Sequence, residues 1–328
     1  MKLILIALTA SLIVLSLTSC NLDFAKQATP FPTLESQASP TALFAIPTTV
    51  PTPITTAVFP VATLSAAGFD PTATIGGIVP GTPSGPYGVI QVAANDALNI
   101  RSGPGINYPA VGSFPPTANF VMRTGPSASV NGALWVEVQN PNGGTGWVYS
   151  GYLTEFLPPS NFCADAHGLS LITSFGDALK TSNGSNMAAM VSPANGWSVR
   201  LWRDGNVVVF DHQHAQWVFI STYEHHWGAA PGSGLDTVGA IHSVVLPKFL
   251  DVFNAPAPGY AVACNSIQGG GATYTTAWPV QYTNINYYSL YKPGPTGNEL
   301  SWRTLLIGVE YVQGQPYIFS TTQLEWEP

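Results

Sequence analysis

From Leu3 to Leu17 the chain is apolar, relieved only by Ala, Ser and Thr, and the run begins behind the positive charge of Lys2. A permanent bilayer helix needs about 20 such residues, and this stretch is shorter and ends in small polar ones. It reads as an export signal spanning 1–19. No second run of comparable length follows. From Asn21 to Pro86 the periodicity disappears: 66 residues contain 11 Pro and 12 Thr. Ile46-Pro47-Thr48-Thr49-Val50-Pro51-Thr52-Pro53 is typical of it, and each Pro there removes a backbone donor and drives its predecessor to extended conformations. The segment 20–86 is therefore expected to be a disordered spacer. At about 3.1 Å per residue a polyproline-like form reaches on the order of 200 Å, and a flexible coil averages about 45 Å.

At residue 87 the pattern changes to short alternating runs separated by turn residues. Val89–Val92, Leu98–Arg101, Phe120–Arg123, Trp135–Val138 and Gly146–Tyr149 are predicted strands, which at that spacing imply a small barrel or sandwich. Asn142-Gly143-Gly144 suits a hairpin tip between the last two. After Phe156-Leu157-Pro158-Pro159-Ser160 the apolar spacing becomes three or four at Leu169, Ile172, Phe175 and Leu179, predicting a helix from about Asp165 to Lys180. A short helix over Asn186–Val191 and a Trp197–Trp202/Val207–Phe210 hairpin turning at Asp204-Gly205 come next. Asp211 caps a predicted helix over Gln216–Ile220, and Val238–Phe253 reads as a fourth helix kinked at Pro247. Tyr260–Cys264, Tyr282–Tyr291, Leu305–Val312 and Tyr317–Trp326 complete the chain as an antiparallel meander. The fold class is thus multidomain: a small all-β barrel over 87–157, then an α+β domain over 161–328.

Composition narrows the function. Of 328 residues 45% are hydrophobic and only 8% charged; the net charge is −7, with ten Lys or Arg in all. No basic face is available to neutralise a phosphate backbone, so nucleic acid is not an expected partner.

Leu17-Thr18-Ser19-Cys20 places a cysteine after an aliphatic residue and two small ones, and it resembles a bacterial lipobox. The resemblance implies a diacylglyceryl group on Cys20, cleavage before it, and a lipid-anchored, extracytoplasmic protein whose partner is the cell membrane. Two or more acyl chains, at about 0.8 kcal/mol per buried methylene, hold such a protein stably. Ala97-Leu98-Asn99-Ile100-Arg101-Ser102-Gly103-Pro104-Gly105-Ile106-Asn107-Tyr108-Pro109, Trp135-Val136-Glu137-Val138 and Gly146-Trp147-Val148-Tyr149-Ser150-Gly151-Tyr152-Leu153 resemble the bacterial SH3 (SH3b) domain, in the family's order. That resemblance implies binding of cell-wall peptide or glycan, peptidoglycan above all, with some members acting as spacers only. Asn99, Arg101, Tyr108, Trp135 and Tyr149 are the candidate groove residues, Trp135 and Trp147 having core packing as the competing role.

The C-terminal segment resembles the C-terminal parts of uncharacterised SH3b lipoproteins, and in outline the nuclear-transport-factor-2-like cone. Cys163 precedes a helix and His167 follows four residues later, so a cysteine-type envelope hydrolase is the rival reading. With Cys20 lipidated, however, Cys163 and Cys264 are the only cysteines left in an oxidising compartment, and a disulfide between them is expected. Asp211-His212-Gln213-His214 and Glu224-His225-His226 carry zinc-ligating residue types, but the spacing suits neither helix nor strand, and no metal is expected. Gln268-Gly269-Gly270-Gly271 lacks the Lys-Ser/Thr of a phosphate loop, so no cofactor is expected either. The aromatic residues of the last third, Trp278, Tyr287, Tyr288 and Trp302 among them, suit a sheet with one buried face, or a carbohydrate or peptide pocket. The reading that follows is a non-enzymatic surface protein with a second binding or assembly surface; the alternatives are an envelope hydrolase and a ligand-free spacer.

Overall fold

Alternating side chains build the first half of the folded region. The computed structural model describes residues 78–82, 84–256, 259–271, 274 and 277–327. The signal segment, Cys20 and the linker up to residue 77 lie outside the described residues, with the expectations attached to them. The protein is mostly β. Seven short strands, β1 (Ser84–Val89), β2 (Leu98–Arg101), β3 (Ala110–Phe114), β4 (Val121–Val130), β5 (Ala133–Gln139), β6 (Thr145–Tyr149) and β7 (Leu153–Glu155), form one sheet. Its order is β3-β2-β6-β5-β4-β1-β7, and every neighbouring pair is antiparallel. Strand alternation sends Leu98 and Ile100 inward beside Val89, Val136, Val138 and Val148, while Asn99 points to solvent. The first strand ends before Ile90–Val92, where Gln91 takes a φ of 60° and turns the chain out of the ladder. β3 and β7 carry no alternation strong enough to predict them.

The second half begins with α1 (Pro159–Ala164), α2 (Ala166–Thr181) and α3 (Gly184–Met190). Asp165 caps α2 by accepting from the His167 backbone N–H at 2.9 Å. The buried face of α2 is Leu171, Ile172, Phe175, Ala178 and Leu179; Leu169, expected on that face, is exposed, because the stripe is centred one residue further on. Next come β8 (Trp197–Arg200), β9 (Val207–Phe210), α4 (His212–Ala215), β10 (Glu224–Ala229), β11 (Asp236–Ala240), α5 (Ile241–Val244) and α6 (Leu246–Phe253). Two expectations are corrected there. The helix after Asp211 stops at Ala215, and Val238–Phe253 is not one kinked helix. Asp236–Ala240 pairs with β10 as a hairpin, and Pro247 lies in the first turn of α6, where its missing N–H breaks no helical bond.

β12 (Ala261–Cys264), β13 (Asn286–Lys292), β14 (Arg303–Val312) and β15 (Gln315–Glu325) complete a six-stranded sheet of order β12-β13-β14-β15-β8-β9. The expected antiparallel meander is present as β12-β13-β14-β15, and β8 extends it by adding to β15 in parallel, with β9 at the far edge. That mixed order does not by itself single out the nuclear-transport-factor-2-like cone. Helices α2, α3 and α6 cover the sheet over one core, with Phe162, Phe175, Trp197, Trp227 and Phe249 fully buried. Each such side chain contributes about 1.5–3 kcal/mol relative to exposure.

The barrel is not free of this second body. Asn284 Nδ2 donates to the carbonyls of Val89 (2.9 Å) and Ala118 (2.8 Å), and the Gln91 N–H donates to Gln281 O at 2.8 Å. The Glu155 carboxylate accepts from the N–H groups of Gln313 and Gly314 at the tip of the β14–β15 hairpin, at 2.7 and 2.9 Å. Ile90 packs with Tyr282, Ile285 and Phe319 in a small cluster of its own. Among the described residues no helix is long and apolar enough to cross a membrane.

Candidate functional site

Four of the five groove residues expected from sequence line one cleft of about 500 Å³ on the barrel: Asn99 and Arg101 from β2, Trp135 from β5 and Tyr149 from the end of β6. The alternation that buries Leu98 and Ile100 forces Asn99 and Arg101 onto the opposite face. Trp135 and Tyr149 are register partners across β5 and β6, with ring centroids 6.3 Å apart. Tyr149 in turn meets Tyr152 edge to face at 5.7 Å, so three aromatic rings run along one wall. Trp135 is almost wholly buried, in a small cluster with Ala128, Val130 and Trp147, and presents only an edge to the cleft. Tyr149 and Tyr152 are 38% and 37% exposed and supply the accessible surface.

Tyr108, the fifth candidate, does not line this cleft. Its ring lies over the Gly103-Pro104-Gly105 turn so closely that a Cβ on Gly103 would come 2.4 Å from it, and its carbonyl accepts from Arg101 Nη1 at 2.8 Å. It is a packing residue that orients Arg101. Among the described residues Arg101 has no ion-pair partner, so its charge is not neutralised within the fold. Gln91, Asp96, Ile106 and Tyr152 also line the cleft and were not anticipated. They lie in turns and loops, where no periodicity marks a facing side chain; the signal for Tyr152 was its place in the Tyr149-Ser150-Gly151-Tyr152 run. The cleft joins aromatic surface to one cation, one carboxylate and two side-chain amides, which suits an extended peptide or glycan rather than a charged polymer.

Elsewhere the chemistry-bearing residues are committed. Cys163 and Cys264 are joined in a disulfide, with Cα atoms 5.8 Å apart, so neither supplies a thiolate. His167 bonds Asp165 instead, through Nδ1 at 2.8 Å. Asp165 also accepts from the Tyr311 hydroxyl at 2.6 Å, and that bond, with those from His167, holds its carboxyl below the usual range. The Asp211–His214 and Glu224–His226 segments meet at one hollow, which His214 and His225 both line, but their ring nitrogens are taken separately: His214 Nδ1 pairs with Asp211 and His226 Nδ1 with Asp236, at 2.8 and 2.6 Å. Among the described residues no three His, Cys, Asp or Glu side chains are placed to hold a metal ion. Nor do the aromatics of the last third form a pocket wall as a group. Tyr287, Tyr288 and Trp302 are buried, and Trp278 stacks on Tyr287 at 4.2 Å.

Residues 96–154 match the bacterial SH3 domain family, which covers β2 to β7 and the whole aromatic wall of the cleft. No curated protein and no solved structure matches this chain. Domains of the matched kind are associated in general with cell-wall or peptidoglycan binding.

Proposed function

We propose that the protein is a non-enzymatic, lipid-anchored extracytoplasmic protein that holds cell-wall peptide or glycan in the barrel cleft. Cys20 carries the anchor, the Pro/Thr-rich segment acts as the spacer, and the cleft faces the wall. The observation that carries this reading is the row Trp135, Tyr149, Tyr152 beside Asn99 and the unneutralised Arg101. Aromatic rings give sequence-tolerant contact with an extended chain, and the few polar groups fix its direction. Tyr149, Tyr152, Asn99 and Arg101 are the residues assigned to ligand contact, with Trp135 as the floor behind them. The C-terminal body contributes a second surface and no chemistry.

Retention of the protein on purified, washed cell wall tests the assignment. The native chain is expected to sediment with the wall, and Tyr149→Ala and Arg101→Ala to stay in the supernatant, while Tyr108→Phe binds as the native chain does. Absence of retention, or retention equal in all four proteins, removes the binding claim. A soluble, unmodified product in a native-like host removes the anchor.

A further inference from the structure

The sequence concentrates aromatic residues in the last third, but the tryptophan most exposed to solvent is elsewhere. All nine tryptophans are described, and Trp217, 51% accessible, is the one in the exposed class. It follows α4, and with Tyr223, 70% accessible, it lines a hollow of about 310 Å³ whose other walls are Val209 and Phe210 of β9 and His225 of β10. β9 is an edge strand of the six-stranded sheet, and Val209 on it is exposed as well. Exposed apolar side chains gathered round a concavity mark a place where ligands bind.

The polar groups of the hollow are few. The His225 ring is set among Phe210, Tyr223 and Trp227, with centroids 5.4, 4.8 and 5.4 Å away, and burial lowers its pKa. His214 and Ser221 stand at the rim. Among the described residues no Lys, Arg, Asp or Glu lines the hollow; the nearby Asp211 is occupied by the backbone N–H and Nδ1 of His214, at 2.7 and 2.8 Å. Ring faces accept flat C–H surface, and neutral imidazole and hydroxyl groups accept or donate to hydroxyls. A pyranose offers that combination: apolar faces and a hydroxyl edge, without net charge.

We propose that the hollow between α4, β9 and β10 is a carbohydrate site, in which a neutral sugar ring stacks on Trp217 and Tyr223 and is hydrogen-bonded by Ser221 and His214. It shares no lining residue with the barrel cleft and stands whether or not that cleft binds.

The test is calorimetric titration of the full chain, held in a sugar-free detergent, with chitohexaose, cellohexaose and xylohexaose, and with choline chloride. At least one hexasaccharide is expected to bind saturably. Loss of a stacking aromatic at the centre of a site commonly weakens binding by about tenfold or more, and that is expected for Trp217→Ala and for Tyr223→Ala. The titrations are repeated in a Tyr149→Ala background, where glycan held in the barrel cleft no longer contributes, and the Trp217-dependent binding is expected to persist there. Both rings removed are exposed, so unchanged melting temperatures verify that the variants are folded. Saturation by none of the three sugars overturns the proposal. So does sugar binding that survives Trp217→Ala in the Tyr149→Ala background or is lost with Tyr149→Ala alone, and so does choline binding lost in Trp217→Ala without any sugar binding, which assigns the hollow to a quaternary ammonium.

Discussion

Gly88 and Asn284 meet so closely that a Cβ on Gly88 would stand 2.5 Å from the Cβ of Asn284. The contact seats the Asn284 amide over β1, where it reaches the Val89 and Ala118 carbonyls together. The Ala118 carbonyl also accepts from the Val89 N–H at 2.8 Å, so the amide's loss takes a buried bond from each carbonyl without orphaning that of Ala118, at a cost of about 1–3 kcal/mol. Asn284→Ala is therefore expected to lower the unfolding free energy by an amount in that range and to move the urea midpoint down accordingly. Gly88→Ala is expected to do so as well, because its new methyl has nowhere to go without parting the barrel from the sheet. Tryptophan fluorescence across a urea gradient measures both, and an unchanged midpoint in either variant contradicts the account of this joint.

The cleft separates contact residues from supporting ones. Trp135 is 6% exposed and packs on Trp147, so Trp135→Ala is expected to destabilise the protein by about 3–5 kcal/mol, the usual cost of emptying a buried aromatic site. Tyr149→Ala removes a ring already more than a third in solvent and is expected to leave the melting temperature within a few degrees while abolishing wall retention. Thermal melts paired with the sedimentation assay distinguish the two, and equal loss of stability in both contradicts the assignment.

The Cys163–Cys264 bridge closes a loop of 101 residues, tying α1 to the edge strand β12. A loop of that length is worth up to about 4.7 kcal/mol in the chain-entropy model. Reduction with dithiothreitol is expected to lower the unfolding free energy by an amount of that order. Thiol titration of the unfolded, unreduced chain is expected to find neither sulfur free. Two reactive thiols at these positions contradict the pairing.

Glu310 is 2% exposed, and Ser192 Oγ and Asn195 Nδ2 donate to its two carboxyl oxygens, the second at 2.6 Å. Burial raises its pKa from 4.5 to about 7 against the opposing pull of those bonds. Between these two values the folded chain holds more protons than the unfolded one, so stability falls as pH rises through that window and levels off above it. The loss is of order 3 kcal/mol. Glu310→Gln, which keeps the neutral shape, is expected to be close to native in stability at pH 5 and more stable than native at pH 8. Melting temperatures of the two proteins across that range provide the measurement, and a difference independent of pH contradicts the buried-carboxyl account.

Where a residue's surroundings are local, the sequence made them legible. The extent of α2, expected from about Asp165 to Lys180, and the antiparallel pairing of β14 with β15 follow from neighbours within a few positions. Alternation alone put Asn99 and Arg101 on the open face of β2. Tyr108 packs against the side-chain-free turn at Gly103, a neighbour that alternation does not reveal, and so lies apart from the other four candidates. The β10–β11 hairpin was missed because apolar residues of a short strand running into two short helices mimic one helical stripe. Asn284 and Asn286 gave no sign at all: their acceptors, Val89 O and Leu157 O, lie 195 and 129 residues away, and no local pattern encodes a partner at that range.

β1 is an inner strand, bonded to β4 on one side and β7 on the other, antiparallel to both. Just upstream, Val79 exchanges both backbone bonds with Ser127 of β4, at 2.7 and 2.9 Å, so the chain is paired on both sides of the approach to this strand. Tension arriving from that direction pulls along the strand and loads both rows of rungs in shear at once, instead of peeling them apart one at a time. A chain pulled there resists being dragged open far better than one hung from a sheet's margin.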